Sequence, residues 1–372
     1  MKKQFVPIIL VFLVIIVSIS IRMFNAQLKN EKEPIIFSSA KPTVPEIDCY
    51  DFVMSSMMRN GGIRTNALDI EFTMDHATGC EVLSESQGLI MRYAVATKNA
   101  SLFTRAYDFT FTKMNQDVLA YRYHPENIHE FTVNAAIDDL RIIRALLEAS
   151  NQFSNNFYKQ KALMLGDRLF DTNVSDSYLY DFYDSVYKIH NDTITLCYND
   201  FYTLKQLSKY NLSWQSVYDN MLALTKKGYI SDTLPFYEAN YNYTLRQYTS
   251  KESINMIEAL LTAYHLSEVD ELPTISMDFI RNEISKGTLY AYYNKDGSPA
   301  SEMESTAVYA LAACLASRTH DMTLYKACID NMNHLQVTDP ENDIFGAFGD
   351  PYSGSAFSYD NLMALIAYRM GE

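Results

Sequence analysis

From Ile47 onward the chain repeats one pattern, apolar residues three and four apart in stretches of helical length broken by Gly, Pro, Asn and Asp. Leu140, Ile143 and Leu147 form one such set; Ile257, Leu260, Leu261 and Tyr264 form a second. Val308, Leu311, Ala312 and Leu315 form a third, and Leu362, Leu365 and Ile366 a fourth. Each marks a buried helical face, because residues at that spacing stack on one side of a helix. The breaks leave about twelve helical stretches, opening near positions 47, 84, 101, 135, 156, 199, 213, 250, 273, 302, 322 and 357. Twelve helices in sequential pairs predict an all-α fold, an (α/α)6 barrel of six hairpins closed into a toroid. A solenoid would use similar helices, but no sequence repeat of fixed period is visible. The irregular stretches Tyr229–Tyr248 and Tyr290–Ser301 are the expected loops or small strands that build a cleft at one end.

Ahead of this domain, Lys2 and Lys3 precede an apolar run, Phe5–Ile21, that is long enough to cross a bilayer and is closed by Arg22. Residues 1–22 therefore read as a membrane anchor or signal segment. Met23-Phe24-Asn25-Ala26 makes a poor cleavage site and contains no Cys for lipid attachment, which favours an uncleaved anchor. The expected location is the cell membrane, single-pass, with the domain outside, or secreted if the segment is cleaved. Residues 23–46 are polar, carry Pro34, Pro42 and Pro45, and read as a linker to a domain spanning 47–372.

The formal net charge of −14, with no dense run of Lys or Arg, argues against nucleic acid as a partner. Cys49, Cys80, Cys197, Cys314 and Cys328 include no CxxC pair. Cys314 and Cys328 fall on consecutive helices and could bridge, but buried free thiols are the expected state. The seven His residues form no metal-binding motif, and there is no phosphate loop, dinucleotide turn or Gly-x-Ser-x-Gly elbow. No metal or organic cofactor is expected. The 28 Tyr and 20 Phe suit both a helical core and the stacking walls of a sugar cleft.

Val82-Leu83-Ser84-Glu85-Ser86-Gln87 reads as a helix start with a capping box, Ser84 capping the backbone and Gln87 reciprocating. That places Glu85 at the first helical position, where carboxylates are common for dipole reasons alone. Ser84-Glu85-x-Gln87-Gly88-x-x-Met91 also resembles the Ser-Glu-Gly-Gln-Gly-Tyr-Gly-Met motif of glycoside hydrolases of family eight. Ser86, Leu89 and Ile90 depart from it. Asp138-Asp139-Leu140 resembles the family's Asp-x-Asp-Leu helix, with Ile137 at the first Asp and Asp139 at the second. The likeness continues through Leu102-Phe103, Tyr107-Asp108-Phe109-Thr110, Cys197-Tyr198, Trp214 and Tyr359-Asp360-Asn361-Leu362, in the right order along the chain.

The resemblance implies that Glu85 is the general acid of a glycosidase and that Asp139 binds or distorts the central sugar. Asp138, Tyr198, Tyr237 and Glu304 are placed among the other substrate-binding groups. The family's Tyr-Asp-Ala-x-Arg segment, which carries its base, corresponds to Tyr248-Thr249-Ser250-Lys251-Glu252, and Thr249 cannot accept a proton from water. Inverting hydrolysis needs a second carboxylate to hold that water. Glu238, in the aromatic segment Pro235-Phe236-Tyr237-Glu238, is the candidate base, with Asp232, Glu252 and Glu304 as weaker alternatives. A helix N-terminus lowers a carboxyl pKa, so burial and a neighbouring carboxylate such as Asp139 must outweigh the dipole at Glu85.

The reading that follows is an inverting, endo-acting hydrolase of a β-linked exopolysaccharide: a β-1,4-glucan, a chitosan-like polymer or a relative. Its partners would be the polysaccharide, the membrane through the N-terminal helix, and exopolysaccharide synthesis or export proteins. The alternatives are a catalytically inactive polysaccharide-binding barrel in a secretion complex and a helical-barrel enzyme of another chemistry, such as an unsaturated uronyl hydrolase.

Overall fold

Two kinds of helix alternate along the chain. The computed structural model describes residues 37–371 except 71, 72, 74–76, 78, 126–130 and 250. Twelve α-helices are present among the described residues: α1 (Val44–Phe52), α2 (Ser84–Ala96), α3 (Ala100–Phe109), α4 (Ala136–Gln152), α5 (Asn156–Asn173), α6 (Phe201–Ser208), α7 (Ser213–Lys227), α8 (Met256–Ser267), α9 (Thr274–Lys286), α10 (Thr306–Arg318), α11 (Met322–Asn333) and α12 (Ser358–Tyr368). Odd-numbered helices bury one stripe. α3 buries Leu102, Phe103, Ala106 and Phe109, and α11 buries Leu324, Cys328 and Met332. Even-numbered helices are buried nearly all round: every residue of α2 except Glu85, and Thr306 through Ala316 in α10. A helix with no polar face must be enclosed by others. Accordingly α2, α4, α6, α8, α10 and α12 pack in sequence, α12 closes back onto α2, and each neighbouring hairpin partner lies outside this ring. The fold is an (α/α)6 barrel.

Local chemistry sets many of the helix starts. The side chains of Asn99, Asp200, Asn255 and Asp321 accept from backbone N–H groups in the first turns of α3, α6, α8 and α11. Most starts fall where the breaks place them. The largest displacement is α8, expected near 250 and opening at Met256, because Ser253–Asn255 first pairs as a strand with Tyr292–Asn294. The segment opening this inner helix is therefore led by Asn255, and Tyr248-Thr249 belongs instead to the end of a small sheet in which Asn240–Asn242 pairs with Thr193–Thr195 and Gln247–Tyr248.

The interior of the ring is ionic as well as apolar. Arg144 forms a two-pronged pair with Glu268, at 2.8 and 2.5 Å, and bonds Glu148 at 3.0 Å; Arg92 grips Glu148 with two bonds of 3.0 Å. These groups tie α2, α4 and the end of α8 together from inside. All five cysteines are free thiols.

Packing against the barrel begins ahead of position 47. The Ser38 N–H donates to the Arg369 carbonyl, Arg369 donates to the Ala40 carbonyl, and Phe37 lies under the Arg92 guanidinium. The expected anchor, residues 1–22, and the linker up to residue 36 lie outside the described residues. No helix among the described residues is long and apolar enough to cross a membrane.

Candidate active site

Because hairpins alternate direction, the six inner helices all open at one end of the barrel, and that end collects their first-turn side chains. Glu85 is the second residue of α2 and is half-buried there. The capping box predicted for this turn does not form. Ser84 instead donates its hydroxyl to Asp138 Oδ2 at 2.7 Å. Gln87 is wholly occupied elsewhere: its Oε1 accepts from the Ile63 N–H, and its Nε2 faces the Gly61 and Ala106 carbonyls. The helix start is thus held from the neighbouring helix, through the Asp138 carboxylate. Asp138 further takes a 2.7 Å bond from Arg141 Nη1.

Arg141 reaches this position only because residue 88 is glycine. A Cβ there would lie 2.9 Å from Arg141 Cγ. A similar device operates at α10, whose Ala307 N–H is accepted by Asp360 of α12 at 3.0 Å.

Glu85 itself takes no hydrogen bond from any described residue. Burial pushes its carboxyl up to about 7, with Arg141 opposing and the charges of Asp138 and Asp360 adding to the rise. Desolvation thus outweighs the helix dipole, as the sequence requires of a general acid, but the helping carboxylates are Asp138 and Asp360 and not Asp139. Asp139 is buried and turned to Asn134, whose Nδ2 donates at 2.7 Å; burial pushes its carboxyl up to about 7 against the influence of that bond and of Arg168. Its Oδ1 is buried without a hydrogen-bond partner among the described residues.

Tyr198 and Tyr359 complete the wall near Glu85. Burial raises the Tyr198 phenol, with further contributions from Asp138, Asp181 and Glu85, and Tyr359 is raised by burial and by Glu85. Tyr198 therefore stands within the field of both Glu85 and Asp181, a residue that the sequence reading missed. Asp181 accepts from the Thr195 N–H at 2.6 Å and the Thr195 hydroxyl at 2.9 Å, and its carboxyl is pushed up to about 6 by burial, with Glu258 adding to the rise. Neither Asp181 nor Glu258 sits in a recognisable motif; only their placement at the ring mouth marks them.

The remaining candidates have partners of their own or lie exposed. Glu238 is paired with Lys295 Nζ at 2.5 Å, and its other oxygen is buried without a partner among the described residues. Tyr237 is buried edge-to-face against Tyr229. Glu304 is exposed and accepts from the buried Tyr309 hydroxyl at 2.6 Å. Asp232 is exposed and bonded to Tyr229, and Glu252 is exposed.

The closed helical ring is also what comparison with solved structures returns. A structure described as a novel α-amylase from Clostridium perfringens superposes with a TM-score of 0.83, at 29% identity, over 90% of this chain and 100% of that one. Endoglucanase Cel10 from Klebsiella pneumoniae, a family 8 glycosyl hydrolase, matches with a TM-score of 0.59 and 16% identity over 86% of this chain and 97% of its own. The chain has the fold of glycoside hydrolase family eight. No family model matches it. Among curated proteins, the putative lipoprotein YdaJ of Bacillus subtilis (strain 168) is 28% identical over 378 residues, covering 99% of this chain and 98% of that protein.

Proposed function

We propose that this family-eight barrel is an inverting, endo-acting glycoside hydrolase with Glu85 as general acid. One observation carries the reading: a half-buried carboxyl at the barrel mouth, free of hydrogen bonds from the described residues and pushed up to about 7, can hold a proton near neutral pH and deliver it to a glycosidic oxygen. Asp138 and Arg141 hold its helix terminus, and Tyr198 and Tyr359 stand within the field of its charge. The likeness to an α-amylase and to an endoglucanase supports a polysaccharide as substrate.

We take that polymer to be a β-linked exopolysaccharide trimmed at the cell surface. The apolar N-terminal run and the relative named a putative lipoprotein support membrane association, near polymer synthesis or export proteins. A second substrate reading, an α-linked glucan, is favoured by the 29% identity to the Clostridium perfringens protein.

The test is reducing-end release by the full-length chain from a panel of neutral, cationic and anionic β-linked polymers plus amylose, paired with a binding assay. Glu85→Gln keeps the size of the acid but cannot deliver a proton, so turnover should fall on the order of 10³-fold while binding persists. Cleavage of amylose alone would move the substrate to the α-linked class. Binding without turnover by the wild type would make the barrel a scaffold.

A further inference from the structure

The acidic residues that open the inner helices fall into two groups. Asp138 accepts from the Ser84 hydroxyl and Arg141, Asp360 accepts the Ala307 N–H, Asp139 accepts from Asn134, and Asp200 caps its own helix while facing Arg144 at 3.5 Å. Each of these carboxylates is used by the fold. Glu85 in α2 and Glu258 in α8 are not: neither takes a hydrogen bond from any described residue, and Glu258 has only a 3.6 Å pairing with the half-exposed Lys251.

Their places in the ring are opposed. Around the closed sequence α2, α4, α6, α8, α10, α12, the helix directly across from α2 is α8. Glu85 is the second residue of its helix and Glu258 the third of its own. Side chains lean toward a helix N-terminus, so both carboxylates lean toward the same mouth from facing walls. Cys197 lies between the two sides: its buried thiol is raised by burial and then by Glu258 and Asp181, with Arg141, the neighbour of Glu85, pulling the other way. Glu238, held by Lys295 at 2.5 Å, has no comparable freedom.

The geometry points to Glu258 as the carboxylate that holds and deprotonates the attacking water, opposite Glu85. This assignment rests on the hydrolase reading above. The water oxygen bonds the anomeric carbon as the bond from that carbon to the glycosidic oxygen breaks. Glu258 takes one proton of the water and Glu85 gives its proton to the departing oxygen, so one water is consumed per linkage. Solvent then removes the proton from Glu258 and restores one to Glu85. Inversion requires carboxylates about 6.5–9.5 Å apart, room for a water, which suits groups on facing walls better than neighbours on one wall.

The experiment compares Glu258→Ala, Glu258→Gln and Glu238→Gln with the wild type in the full-length chain, on the polymer the wild type cleaves best, with and without sodium azide. Both Glu258 variants should lose on the order of 10³-fold in turnover while binding persists, and Glu238→Gln should stay within about tenfold. Azide fits the space left by Glu258→Ala and needs no base, so it should raise turnover at least tenfold there and yield a glycosyl azide of inverted configuration. A merely structural role for Glu258 would not produce that product. Wild-type turnover with Glu258→Gln within tenfold of it, or loss in Glu258→Ala without azide rescue, overturns the assignment alone. A wild type that cleaves nothing overturns the hydrolase reading and this assignment with it.

Discussion

The carboxylate of Asp138, on α4, stands against the start of the helix that carries Glu85. It accepts the Ser84 hydroxyl at 2.7 Å and is itself gripped by Arg141. An acid at a helix N-terminus would ordinarily be held ionised by the unpaired N–H groups around it. Here, beside burial, the neighbouring negative charge of Asp138 works against ionisation of Glu85.

A pH prediction follows from that arrangement. Glu85 must be protonated to act as acid, so kcat/KM should fall as pH rises through about 7. Asp138→Asn removes a charge that raises the Glu85 carboxyl and leaves Arg141, which lowers it. The alkaline limb of the profile should therefore move to lower pH. An unmoved limb, or one moved upward, would show that Asp138 does not set the acid.

Gly88 is where α4 approaches α2, and Gly88→Ala should displace Arg141, whose Cγ would sit 2.9 Å from the new Cβ. The expected cost is about 1–3 kcal/mol of stability from overpacking. Turnover should fall about 10–100-fold through misplacement of the groups around Glu85. Helical content by circular dichroism should be unchanged. Full activity in this variant would mean that Arg141 is not a positioning residue.

The ion pair of Arg144 with Glu268 is buried on both sides. Removing Arg144 leaves Glu268 buried without this cation, so Arg144→Met should lower unfolding stability by about 3–5 kcal/mol in denaturant titration. Glu268→Gln should cost less, because Arg144 keeps Glu148 and Asp200, and the double variant should lose less than the sum of the two. Simple additivity would indicate that the pair is not coupled.

Helical spacing and Asn or Asp caps act within one or two turns, and a linear sequence carries them intact. That is why the starts of α2, α3, α5, α7 and α11 were legible at 84, 101, 156, 213 and 322, each within one residue of the observed start, and why twelve such segments in pairs implied a closed ring. The motif around Glu85 was legible for the same reason. Its partners were not. Ser84 and Gln87 have the spacing of a capping box, but Asp138 and the backbone at Gly61 and Ile63 compete for them, and only tertiary packing supplies those competitors. Likewise Asp138 and Asp139 are adjacent in sequence, yet one meets the Glu85 helix and the other turns to Asn134. Which carboxylate stands opposite Glu85 depends on the order in which helices close the ring. Glu238, in a conspicuous aromatic segment, is tied to Lys295, 57 positions away, while Glu258 sits in an unremarkable helix start with a 3.6 Å pairing to Lys251. Local periodicity determined the helices; long-range closure decided which of their acids face one another.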